Sequence, residues 1–167
     1  MTPLGAVIRG AIAGAVGIAA MDLVWYRRYR KGGGEHRLLD WEFSAGMDSW
    51  EKAPAPAQVG KRVAEGYLQT ELPPMYARLT NNVVHWAYGI GWGVAFGILA
   101  GSARAPRARW GLLLGPFVWA FGYVALPPAK LYKPMWEYDR DTLAKDLSAH
   151  VAYGIGTAAA FKVLSGR

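Results

Sequence analysis

His85-Trp86-Ala87-Tyr88-Gly89-Ile90-Gly91 returns 65 residues later as His150-Val151-Ala152-Tyr153-Gly154-Ile155-Gly156, and the reading of this pair decides the fold. The match runs on: Ala95-Phe96, Leu99 and Gly101 recur as Ala160-Phe161, Leu164 and Gly166, ten identities over the seventeen positions 85–101 and 150–166. Each copy is an apolar run with one histidine near its N-terminal end. Two more apolar runs complete a set of four, at 6–26, 83–100, 110–126 and 147–164. A helix rising ~1.5 Å per residue needs roughly 17–25 residues to cross the hydrocarbon core of a bilayer, which is the length of each run. The sequence therefore predicts an all-α polytopic membrane protein: four transmembrane helices built as two tandem helical-hairpin repeats. Repeat one covers 6–101 and repeat two 110–166, within a single membrane domain spanning 1–167.

Composition agrees. Hydrophobic residues make up 53% of the 167, with eight Trp and nine Tyr, and they fall in blocks rather than evenly. Mean hydropathy is only slightly positive because a polar connection over 27–82 dilutes the average. A soluble domain with buried helices would not need four blocks almost free of charge. The net charge of +7 invites a nucleic-acid reading, but the basic residues cluster at block ends: Arg27, Arg28, Arg30 and Lys31, then Arg104, Arg107 and Arg109. That placement suits lipid headgroups. The absence of cysteine excludes disulfides, thiolate catalysis and Cys-based metal sites. Arg9 and Ile18-Ala19-Ala20 faintly resemble a secretory leader, yet the basic cluster after Tyr26 reads as the flank of a retained span.

Small residues mark the expected helix contacts. Gly10 and Gly14 open the first block, Gly89, Gly93, Gly97 and Gly101 recur at i+4 through the second as a glycine zipper, and Gly111 and Gly115 open the third. In lipid such residues let backbones approach where no hydrophobic force draws helices together. Pro116 should kink or loosen the third block. Within the long connection, 57–72 is predicted to form an amphipathic helix lying in the interface plane or packed on the protein's own loop. Connections one and three hold thirteen Lys/Arg against six in the termini and middle turn, a lean toward cytoplasmic connections.

Three residues stand out chemically. Asp22 is a carboxylate inside an apolar span, and helix one ends on the side from which helices two and four start. Asp22, His85 and His150 are thus predicted to form a polar intramembrane cluster in one leaflet. Asn81 and Asp146, one turn before each histidine, and Tyr88 and Tyr153, one turn after, are its expected supports, the two tyrosines bonding each other across a pseudo-twofold axis. Three chemistries fit paired histidines: axial ligation of a b-type haem, a divalent metal held by His85 and His150 with Asp22 or Asp146, and proton relay. Plainer readings have each histidine anchor a helix end and Asp22 reach water. No nucleophile elbow, HExxH or phosphate-cradling loop is present, so no catalytic residue is assigned and the chain leans away from an enzyme.

The four-span layout, long first connection and histidines at positions 85 and 150, starting the second and fourth spans, resemble small uncharacterised bacterial inner-membrane proteins of the YagU type. That resemblance covers topology and implies a bacterial plasma-membrane location with no established chemistry. The expected function is a transport or accessory role with a proton- or cation-handling cluster. The alternatives are a haem- or metal-binding membrane protein and a purely structural subunit of a membrane complex. Expected partners are the lipid bilayer and either a second copy of the chain or other membrane subunits, not nucleic acid.

Overall fold

The computed structural model describes residues 1–51, 53–103 and 108–166. Among the described residues every regular element is helical: α1 (Pro3–Lys31), α2 (Leu38–Glu42), α3 (Ala55–Leu68), α4 (Ala77–Ser102), α5 (Gly111–Ala125) and α6 (Arg140–Ser165). Local chemistry sets the long boundaries. Thr2 caps α1 by accepting the Gly5 N–H at 3.1 Å, and Pro3 fits the first turn, where a missing N–H costs nothing. α1 stops at three glycines, of which Gly33 takes φ +90°. Asp139 caps α6 by accepting the Thr142 N–H at 2.8 Å.

α1 is the hub. It runs antiparallel to both α4 and α6, while α5 packs on α6. The α1–α4 contact is backbone on backbone: Gly14 lies against the Gly89 carbonyl and the Gly93 Cα, and Gly10 against Gly93 and Gly97. The α5–α6 contact has the same character, with Gly111 against the Gly154 carbonyl and Ala158, and Gly115 against the His150 carbonyl. Gly154 and Ala158 occupy the positions that Gly89 and Gly93 hold in the matching segment 65 residues earlier. Gly111 therefore does the work of Gly14, one turn away from the pairing that the two Gly-xxx-Gly motifs suggest.

Side chains close the ring of four helices. Phe96 of α4 meets Phe161 of α6 edge-on at 5.7 Å, with Ala13 of α1 in the same core. Trp92 of α4 meets Phe117 and Phe121 of α5 at 5.4 and 5.2 Å. Arg9 donates to the Leu164 carbonyl at 2.9 Å, tying the start of α1 to the end of α6. At the opposite end Arg28 donates to the Lys145 carbonyl and to Ser148 Oγ at 2.7 and 2.6 Å.

Among the described residues, three helical stretches are long and apolar enough to cross a membrane: Pro3–Lys31, Pro74–Ser102 and Arg140–Ser165. The expected span at 110–126 is shorter. Its helix has 15 residues, hence about 22 Å of length, and it runs on through Pro116. Arg104 and Arg107 of the basic turn lie outside the described residues. The helix expected over 57–72 covers Ala55–Leu68 instead, because Gln69 turns left-handed (φ 54°) and the Glu65 carboxylate accepts the Leu72 N–H at 2.7 Å. α3 packs on α4, setting Ala57 fully inside and Gly60 against Thr80 and Val84, while Val63 and Tyr67 stay exposed.

Large apolar side chains cover the outside of the bundle. On α1, Leu4, Ile8, Ile12 and Val16 form an exposed stripe at i+4 spacing; Leu113, Phe117 and Phe121 do the same for α5. The glycine contacts give a direct test. Gly93→Ala would drive a methyl group into the Gly14 Cα and the Gly10 carbonyl, so it should destabilise the fold by about 1–3 kcal/mol. Gly91→Ala, where nothing lies within 4 Å, should be neutral or stabilise by up to about 1 kcal/mol through helix propensity. Denaturant unfolding of the two variants compares them.

Candidate functional site

The site is built where α1 ends and α4 begins, under the first connection. Asp22 sits one turn before the aromatic end of α1 and is 5% exposed. His85, two turns into α4, places Nε2 at 2.9 Å from Asp22 Oδ2, with the ring N–H donating to the carboxylate. A third group completes the cluster from the connection. Trp41 of α2 stacks near Tyr26 and Tyr29 of α1, with ring centroids 5.5 and 6.0 Å apart, and so carries the next residue, Glu42, over Asp22. Arg78 and Asn82 of α4 pin this segment by donating to the Phe43 carbonyl at 2.7 and 3.1 Å. One ligand atom from each of Asp22, Glu42 and His85 then lies within 4.8 Å of the others.

These residues line a cavity of about 600 Å³, together with Trp25, Trp41, Ser44 and Asn81. Polarity within it is incompletely satisfied. Asn81 donates through Nδ2 to Ser44 Oγ at 2.9 Å, but among the described residues its Oδ1 has no partner, nor does Glu42 Oε1. Burial, and next the negative charge of Asp22, push the Glu42 carboxyl from the ordinary 4.5 up to about 7. The shift keeps that group in its acid form to higher pH than an ordinary glutamate. It can accept or release a proton beside a buried Asp–His pair.

His150 does not join this group. Its Nδ1 lies 3.3 Å from Asp146 Oδ1 and 3.0 Å from the Asp146 carbonyl, one turn back on α6. The other oxygen of Asp146 accepts the Tyr123 hydroxyl of α5 at 3.1 Å. Tyr132 and Tyr138 pack on Tyr123, each with ring centroids 5.3 Å away, and burial followed by the Asp146 charge pushes the Tyr132 hydroxyl up to about 12. The physical reason for the separation is register. In the α1–α4 contact the position eight residues after Gly14 is Asp22; eight residues after Gly111 the α5 chain carries Trp119. The helix facing His150 supplies no acid there, and the acid comes from α6 itself.

The remaining expected supports also divide. Asn81 binds the connection rather than the His85 ring. Tyr153 is buried and donates to the Gly89 carbonyl at 2.6 Å, whereas Tyr88 is exposed and meets Trp92 edge-on, so the two tyrosines do not bond each other. Glu42 is the residue of this cluster that sequence reasoning missed. The available signal was an acid set between two aromatics, Trp41 and Phe43, in a connection that otherwise reads as polar.

Comparison with protein-family models, curated proteins and solved structures gave no match to the chain. The site is therefore read from its own geometry. The shift of Glu42 has a definite sign in stability. Its folded value lies above the unfolded one, so its contribution to stability is full below pH 4.5 and is lost as pH rises through about 7. Glu42→Gln should flatten the fall in unfolding midpoint between pH 5 and 8, measured by thermal melts across that range.

Proposed function

We propose that the chain is an integral membrane protein with a transport or accessory role, handling protons or cations through the Asp22–His85–Glu42 pocket at one membrane face. The observation that carries this is a nearly fully buried carboxylate, paired with an imidazole, between two helices long and apolar enough to cross a bilayer. An unpaired Asp at the centre of a span costs about 2.5–3.5 kcal/mol, and intramembrane ionisable groups mark ion and proton pathways. Here the imidazole offsets that cost while the cavity opens the pair to the connection.

Four crossings, with α5 as the short one, form two hairpins in this reading: α1 with α4 and α5 with α6. The repeated motif and the matching glycine contacts support a duplication. Exposed apolar stripes on α1 and α5 support lipid as their cover, since soluble monomers rarely show large contiguous apolar surface. The excess of Lys/Arg in the two longer connections favours their being cytoplasmic, with the pocket at that face. A bacterial plasma membrane is the setting that the YagU-type layout suggests. A haem between His85 and His150 has less support, because each ring is already engaged by a different carboxylate.

The chain should resist extraction from membranes by alkaline carbonate. In proteoliposomes it should carry a proton or cation flux that Asp22→Asn or His85→Ala lowers at least tenfold and His150→Ala lowers less. Flux equal to empty liposomes, or unchanged in both pocket variants, would favour a purely structural subunit.

A further inference from the structure

The pocket at the α1–α4 end offers more than a hydrogen-bonded pair. It brings together two carboxylates, Asp22 and Glu42, and one imidazole, His85, with ligand atoms within 4.8 Å of one another. Donors bound to one first-row divalent ion at about 2.0–2.2 Å lie about 3 Å apart when adjacent and about 4.2 Å apart when opposite. The 2.9 Å between His85 Nε2 and Asp22 Oδ2 is already the spacing of adjacent donors.

A second observation, independent of the charged groups, points to a ligand. Asn81 is 9% exposed, lines the same cavity, and keeps its Oδ1 without a hydrogen-bond partner among the described residues. Glu42 Oε1 is likewise without one. A buried amide oxygen and a buried carboxylate oxygen left unpaired each carry a desolvation cost that a cation would remove. The charges also match: two carboxylates and a neutral imidazole neutralise a divalent ion, which a low-dielectric cavity requires. Asp48 and His36 line the cavity as well and add ligand chemistry beside the central group.

We propose that this pocket binds one divalent first-row transition cation, with Asp22, Glu42 and His85 as ligands and Asn81 Oδ1 as a fourth oxygen donor. The inference rests on reading the pocket as cation-handling, and it names the class of cation. One nitrogen with three oxygens is a borderline-hard set, suited to manganese, iron or zinc rather than to copper(I) or to an all-oxygen calcium cage. His150 takes no part, since its ring is held by Asp146.

The test is equilibrium binding of Zn²⁺ and of Mn²⁺ to purified full-length protein, by calorimetry and by metal analysis after dialysis. One equivalent should bind. Asp22→Asn, Glu42→Gln and His85→Ala should each weaken binding by more than 100-fold, Asn81→Leu by about 10–100-fold, and His150→Ala by less than threefold. Asn81→Asp, which keeps the oxygen and adds charge, should bind at least as tightly as the parent, and this separates ligand loss from misfolding. Manganese bound at the site should also show one ¹⁵N coupling from histidine in pulsed EPR, lost in His85→Ala. Binding below half an equivalent, or equal loss in His150→Ala, overturns the inference. Flux that depends on Asp22 and His85 without divalent binding overturns this inference alone. Stoichiometric binding by a protein that carbonate strips from membranes overturns only the membrane reading.

Discussion

The close approach of α1 to α4 is the contact on which the rest depends. Gly10 and Gly14 lie directly on Gly89, Gly93 and Gly97, so the two backbones touch with no side chain between them. Close approach multiplies dispersion contacts and brings helix ends into fixed register. That register sets Asp22, two turns beyond Gly14 on α1, against His85, one turn before Gly89 on α4. A single methyl group on the contact face would separate the helices and, through them, the acid from the imidazole.

From that contact the remaining parts follow in order. α6 lies along another face of α1, clasped at one end by Arg9 and at the other by Arg28. α5 covers α6 through a second glycine contact and reaches α4 through aromatic rings. The first connection then folds back onto the ends of α1 and α4. Trp41 stacks on the aromatic rings that end α1, and the Phe43 carbonyl accepts from Arg78 and Asn82 of α4. The Asp22–His85–Glu42 cluster thereby lies at one end of the bundle, and at the opposite end Arg9 ties α1 to α6.

Much of this was legible in the sequence, for reasons tied to particular residues. The four apolar blocks each became helical because their length and composition leave few alternatives. The glycines at i+4 lie where helices meet. The proximity of Asp22 and His85 followed from an odd carboxylate near the end of one apolar block and a histidine at the start of the next. What the sequence hid was register. His85 and His150 sit in nearly identical heptapeptides, yet their surroundings are decided by the helix opposite, which presents Asp22 in one case and Trp119 in the other. Likeness in one helix says nothing of its partner. Glu42 was hidden for a different reason: a five-residue helix in a polar connection has too little periodicity to place its side chains. The end of α3 was missed because a left-handed glutamine leaves no mark that a proline or glycine would.

The pocket draws its groups from three separate stretches of chain, two of them rigid helices and the third a short helix on a folded-back connection. Glu42 travels with that connection, and Ser44, which occupies Asn81 Nδ2, travels with it too. Any outward swing of this segment would therefore withdraw an acid, release an amide and admit water in one movement. For the proposed cation, access and strength of binding would then be the same variable: it would enter while its site is unfinished and leave as the site comes apart.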